Sequence, residues 1–259
     1  MSFIKAFSLT FGDVAENHKG MQKIGNISDV GFDLKDLNKI KTFFEERGCK
    51  CKIVNLQWLL DENLQKDNAA YILTIKNAVN ILLDDEFGND KLFNEQDVLE
   101  KDTKAYMYGR VVNKNARHNL CFGDEHQEPN YEEGKGKVYN FNEVPLLNII
   151  RNKLGEILGK KGTNLQAEGN YYYDIKKCGI GFHGDTERKK VIAFRLGAKI
   201  PLCYSWFHNN ERISDIITID NLEHGDMYVM SEKTTGFDWK YSSKYTLRHA
   251  AGCDKYTKI

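Results

Sequence analysis

Val191-Ile192-Ala193-Phe194-Arg195-Leu196, Pro201-Leu202-Cys203-Tyr204-Ser205-Trp206-Phe207-His208, Ile213 to Ile219, Asp226 to Met230 and Tyr245 to Ala250 follow one another as short aromatic or β-branched runs separated by turn residues. With Gln166 to Asp174 before them, they make six short strands in under a hundred residues, and no helical period survives after Asn164. Such spacing predicts a β-sandwich or barrel.

The sequence upstream has a different texture. Leu34, Leu37, Ile40 and Phe43/Phe44 recur at three and four residues between Asp33 and Arg47, and Gly48 stops the pattern, so an amphipathic helix is expected there. Lys52 to Leu56 reads as a short strand. A second helix is expected from a cap at Asp67 or Asn68, with Ile72, Ile75, Val79, Leu82 and Leu83 on one face. It runs into the acidic stretch 84–90, a solvated surface unsuited to phosphate. A third helix is expected from about Val144 to Leu158, with Pro145 in its first turn and Gly159 at its end. Phe11 to Met21 reads as a capped polar loop whose Asp13, Glu16 and His18 could also serve a site, Tyr106 to Val112 as a strand, and 113–136 as a long exposed loop of the kind that forms lids. Helices first and strands afterwards give an α+β class.

Composition bounds the function. The chain has 259 residues, 41% hydrophobic and 29% charged, enough for a substantial core. Its 37 basic and 37 acidic side chains cancel, so any contact with nucleic acid has to come from a small local patch. No apolar run approaches a membrane span and no signal-peptide pattern is present, which predicts an intracellular protein, cytoplasmic or nuclear, with no membrane partner. The six cysteines are then expected as free thiols, and Cys49-Lys50-Cys51 has the wrong spacing for zinc. Oligomeric state is not legible.

The chemistry concentrates in Gly181-Phe182-His183-Gly184-Asp185-Thr186-Glu187. Residues two apart on an extended segment project to one side, so the His183 imidazole and the Asp185 carboxylate can face one metal. A second His from a later strand would complete the two-His-one-carboxylate set that holds Fe(II) with open positions. Turn chemistry alone explains His224-Gly225-Asp226, and His208 reads as a strand-end side chain.

Around this motif stand Asn170-Tyr171-Tyr172, the strand ending Leu196-Gly197-Ala198, and His224-Gly225-Asp226 followed by an apolar run. In that order they resemble the AlkB-like branch of the 2-oxoglutarate/Fe(II) oxygenases. The resemblance covers roughly residues 105 to 258 and leaves the first hundred unmatched. It implies a double-stranded β-helix (jelly-roll) core in a domain spanning 104–259, preceded by a helical or mixed N-terminal extension, 1–103. It implies Fe(II), 2-oxoglutarate and O2 as cofactor and co-substrates. His183 and Asp185 match the first two iron ligands, Asn170 and Tyr172 the residues that help hold 2-oxoglutarate, and Glu187 an acidic residue near the substrate. Arg117, His118 and Asn119 fall where the family carries its nucleotide-recognition loop and are candidate substrate contacts.

The sequence departs from the family at the third ligand. Where a His follows Trp by two residues, this chain has Trp239-Lys240-Tyr241. Either His249 is the third ligand, the preferred reading, or Arg248 keeps the co-substrate role and the metal has only two protein ligands, or Tyr241 as an unusual third. The co-substrate pair of arginines is also incomplete: Arg248 fits the second, but Ser242 stands at the first. Arg248 and His249 are neighbours on a strand and compete for the interior; with His249 at the metal, the resemblance, in which a cation nine or ten residues after the distal His binds the co-substrate, implies Lys258, with Lys255 as a fallback. The implied activity is hydroxylation or oxidative demethylation of a substrate, first a nucleobase in nucleic acid or a nucleotide. The alternatives are a protein or small-molecule hydroxylase on the same fold, or a non-catalytic binding protein with a degenerate metal site.

Overall fold

A computed structural model of the chain describes residues 3–219 and 221–258. Strand β1 (Ala6–Gly12) is followed by the hairpin of β2 (Val14–Glu16) and β3 (Lys23–Gly25). Helix α1 (Leu34–Glu45) begins at Asp33, whose carboxylate accepts the Lys35 and Asp36 amides while Asp36 accepts the Asp33 amide, a reciprocal cap. Strand β4 (Cys51–Asn55), the single turn α2 (Glu62–Gln65) and strand β5 (Tyr71–Ile75) lead to helices α3 (Ala78–Leu83) and α4 (Gly88–Val98). Strands β6 (Lys104–Met107) and β7 (Arg110–Asn113) form a hairpin ahead of β8 (His118–Gly123) and β9 (Tyr139–Asn140). Helix α5 (Pro145–Leu158) precedes the strand-rich half: β10 (Gln166–Tyr172), β11 (Gly179–His183), β12 (Val191–Gly197), β13 (Leu202–His208), β14 (Glu211–Arg212), β15 (Ile217–Ile219), β16 (Met227–Met230) and β17 (Thr246–Gly252), then the turn α6 (Asp254–Thr257).

The architecture is mixed α/β with strands predominating, in curled sheets. A large sheet runs β4-β5-β16-β12-β1-β10-β8-β9, and a smaller one β11-β17-β13-β14, with β15 also on β13. From β10 onward the chain passes between them: β10 large, β11 small, β12 large, β13 and β15 small, β16 large, β17 small. The place between β10 and β12 is filled by β1, antiparallel to both.

The period-2 alternation of the strands divides the core in two. Phe7, Leu9 and Phe11 of β1 and Ile192, Phe194 and Leu196 of β12 point outward to Leu37, Ile40, Val79, Leu92, Leu147 and Ile150 of the helices. Val191, Ala193, Tyr228 and Met230 point the other way, onto Tyr204, Trp206 and Leu247 of the small sheet. Helices, large sheet and small sheet thus form three layers, and the inter-sheet layer holds the polar residues taken up below.

Several expectations need correction. A helical or mixed extension set apart from the strand-rich half is not shown: β1, β4 and β5 belong to the large sheet, on both sides of the expected boundary at 103/104. Ile72 and Ile75, assigned to the second helix, lie on β5; the three-residue spacing is incidental to the run Tyr71-Ile72-Leu73-Thr74-Ile75. Asn77 then adopts left-handed backbone before the short α3, and a further helix, α4, begins within the acidic stretch, at Gly88. The expected lid is largely ordered structure, because β8 pairs with β10 inside the large sheet. The helices over 33–47 and 144–158 and the strand at 52–56 stand within a residue or two of expectation. Among the described residues, no helix is long and apolar enough to cross a membrane.

Candidate metal centre

Strands β11 and β17 pair antiparallel, with His183 opposite His249 and an irregularity in register between Ile180 and His183 that swings the end of β11. The imidazole centroids stand 4.4 Å apart. Asp185, just past β11, places Oδ1 3.6 Å from Nε2 of each histidine. One ligand atom from each of the three lies within 4.8 Å of the others, a spacing that one metal ion could bridge. His183 Nδ1 is 2.8 Å from the Gly181 carbonyl, to which it donates when Nε2 is the unprotonated nitrogen, and such an outer contact fixes the ring and frees Nε2 for a metal.

The carboxylate is held from behind. The Asp185 amide donates to the Thr235 carbonyl at 2.9 Å, and its Oδ2 lies 3.6 Å from Arg188 Nε. Arg188 is buried and also binds Glu168 at 2.6 Å and Glu187 at 2.8 Å. Gly184, between the two ligands, packs so tightly under the 231–240 turn that a Cβ there would meet the Gly236 carbonyl oxygen at 2.1 Å. Burial pushes the His183 imidazole down to about 4 and that of His249 well below its ordinary value. Both are therefore neutral at physiological pH, the form that binds metal. Burial also raises the Asp185 carboxyl well above the usual range, against the pull of Arg188. Burial works in the same sense on Glu187, yet Arg188 holds that carboxyl below its ordinary value.

The triad opens on a cavity of about 490 Å³ between the sheets, a size within the ordinary range of small-molecule sites. Asn170, Tyr172, Arg117, Asn119 and Glu187 line it. Asn170 Oδ1 accepts from Arg117 Nε at 2.6 Å and from Asn119 Nδ2 at 3.0 Å, which locks those three into one cluster.

Other candidates are placed elsewhere. Tyr241 is 60% exposed on a turn and lines a separate surface groove, apart from His183 and Asp185, which have His249 beside them instead. Arg248 points to the opposite face of β17 from His249, stacking on Phe207 and Trp239 and donating to Asn210 Oδ1. Lys258 pairs with Asp254 in solvent, and Lys255 lies over the Tyr256 ring. His118 stacks on Tyr173, outside the cavity. His224 accepts from the Gly197 amide, a turn role, and His208 stacks on Tyr245 at a strand end. All six cysteines are free.

Sequence reasoning held one contribution only as a second reading and missed another. The first is the β2–β3 hairpin, within the stretch read as a capped loop that could also serve a site: Asp13 ties it down through the Ser28, Lys189 and Lys190 amides, while Glu16 and His18 reach the cavity wall. Burial and the neighbouring Glu187 raise the Glu16 carboxyl to about 7. The second is Arg195, on the inner face of β12, 3% exposed, with all three guanidinium nitrogens unpartnered among the described residues. Within an apolar strand its one signal is period 2, which puts it on the face of Val191 and Ala193.

No family model matches the chain. Over 255 residues it is 48% identical to "Uncharacterized protein R156" of Acanthamoeba polyphaga mimivirus, with 98% of each chain covered. The chain belongs to that protein's family. The match takes in nearly the whole of both chains, the N-terminal hundred residues included.

Proposed function

We propose that the chain is a 2-oxoglutarate- and Fe(II)-dependent dioxygenase that hydroxylates or oxidatively demethylates a nucleobase in nucleic acid or a nucleotide. The observation that carries this is the convergence of His183, Asp185 and His249 from two strands and a turn onto one point of a buried cavity. Two imidazoles and one carboxylate suit ferrous iron and leave positions for other ligands. The passage of β10 to β17 between two facing sheets, with β1 in the eighth place, supports a double-stranded β-helix of the AlkB-like kind. Six free cysteines suit an intracellular setting, cytoplasmic or nuclear.

Each residue has a task in this reading. His183, Asp185 and His249 hold the metal; Asn170 and Tyr172 flank the bound 2-oxo acid. Bound iron would supply oxidation of a substrate C–H bond at the expense of O2 and 2-oxoglutarate, with succinate and CO2 as products. The inter-sheet walls exclude water, and Arg188 keeps Asp185 oriented. At the mouth, exposed Lys19, Lys23 and Lys240 stand with Trp239 around the opening, and Lys19 lies 5.7 Å over the Trp239 ring. That local patch of cations beside an aromatic suits phosphate and a stacked or flipped base despite the chain's zero net charge.

Succinate formation from 2-oxoglutarate by the Fe(II)-loaded protein tests the reaction, first with single-stranded methylated oligonucleotides and then with nucleotides and peptides. The expected result is Fe(II)-dependent turnover stimulated by a methylated base and lost in His183→Ala. Turnover stimulated only by peptides would replace the substrate class, and none with any metal would leave a binding protein.

A further inference from the structure

Strand β12 alternates strictly. Ile192, Phe194 and Leu196 enter the helix-side core, while Val191, Ala193 and Arg195 face the small sheet. Arg195 is pinned at the backbone, its amide donating to the Asp226 carbonyl at 2.9 Å and its carbonyl accepting from Gly225 at 2.7 Å. Its side chain lines the same cavity as the triad, yet no donor of its guanidinium finds an acceptor among the described residues. Its guanidinium lies 5.3 Å from the centre of the Tyr228 ring. Arg188 shows the contrast: equally buried, it is matched by Glu168, Glu187 and Asp185.

A guanidinium does not shed its proton when buried, so Arg195 cannot relieve its desolvation as a lysine would. A buried charge of this kind needs an anion. The inner face of the large sheet is laid out to receive one. In register across four strands stand Asn119, Asn170, Ser8 and Arg195. The Ser8 and Tyr228 hydroxyls approach to 3.4 Å, and the Tyr204 hydroxyl, fully buried on the facing sheet, also lacks a partner. Tyr204 is in register with His249, ring to ring at 5.9 Å. One fixed positive charge among neutral hydroxyls matches one carboxylate better than a phosphate, because the other two arginines of the cavity are already engaged, Arg117 by Asn170 and Arg188 by Glu168, Glu187 and Asp185, and its lysines are exposed at the mouth.

We propose that Arg195 anchors the carboxylate remote from the metal in a 2-oxo dicarboxylate co-substrate, the role the family pattern gives to Arg248 or Lys258. This rests on the triad being a metal centre. It also makes β1 part of the co-substrate pocket, through Ser8.

Binding to the Mn(II)-loaded full chain, measured by calorimetry without O2, tests the assignment. The probes are 2-oxoglutarate and 2-oxovalerate, which keeps the 2-oxo acid end but lacks the second carboxylate. The wild type is expected to prefer 2-oxoglutarate by at least about tenfold, a charge-assisted pair's worth. Arg195→Met is expected to take up Mn(II) as the wild type does, to lose that preference, and to melt no lower than the wild type without ligand; Arg195→Lys is expected to retain part of it. An Arg195→Met protein that binds Mn(II) and still prefers 2-oxoglutarate overturns the anchor alone. A wild type that binds no Mn(II) overturns the metal centre and the anchor with it. If Arg195→Met does not fold, Arg195→Lys decides: an undiminished preference there, with Arg248→Met abolishing it, also overturns the anchor.

Discussion

His249 and Tyr241 divide the question of the third ligand cleanly. His249 is opposite His183 in the β11–β17 pair, whereas Tyr241 lies in solvent on a turn. His249→Ala is expected to weaken Mn(II) binding at least about tenfold, in line with losing a ligand, and Tyr241→Phe to leave it unchanged; equal losses in calorimetric titrations would refute the assignment. Glu16 offers a pH test independent of any metal. Its carboxyl is raised from 4.5 to about 7, so the folded chain retains a proton that the unfolded chain releases. Its stabilising contribution is complete below the unfolded value and disappears as pH rises through the folded one. Glu16→Gln is accordingly expected to flatten the fall in urea midpoint between about pH 5 and 7. Midpoints that stay parallel to the wild type across that window would show the group to be unshifted.

Elements explain what the sequence revealed and what it hid. His183 and Asp185 were legible because their relation is local: two residues on one extended segment. The starts of α1 and α5 were legible for the same reason, near Asp33 and Pro145. Third-ligand identity and Arg195 were not, since each depends on which strand lies opposite which, a long-range matter. The β5 strand misread as helix shows the same limit, with Ile72 and Ile75 fitting either period. The turn after β16 is the element most tightly coupled to the site, because Gly236 packs on Gly184 and Thr235 accepts the Asp185 amide. Gly184→Ala is expected to cost about 1–3 kcal/mol by overpacking and to weaken metal binding in the protein that still folds. Thermal melts and Mn(II) titrations check it, and a variant matching the wild type in both would show that the turn yields freely.

For the whole molecule, the decisive feature is β1, fully buried between β10 and β12. Losing Phe7, Leu9 and Phe11 alone removes roughly 1.5–3 kcal/mol of burial apiece, a sum comparable to the whole stability of a domain. Residues 104–259 expressed alone are therefore expected not to fold, and a cooperative melt from that fragment would contradict the layout. The same strand brings Ser8 and Thr10 to the cavity wall, so the fold and the site share their most distant part of the sequence. His183, Asp185 and His249 are proposed to meet on one metal. Anomalous diffraction from crystals of the Fe(II)- or Mn(II)-loaded chain is expected to show a single strong peak within about 2.0–2.3 Å of His183 Nε2, His249 Nε2 and an Asp185 oxygen. A peak elsewhere, or none there in a fully loaded crystal, would contradict it.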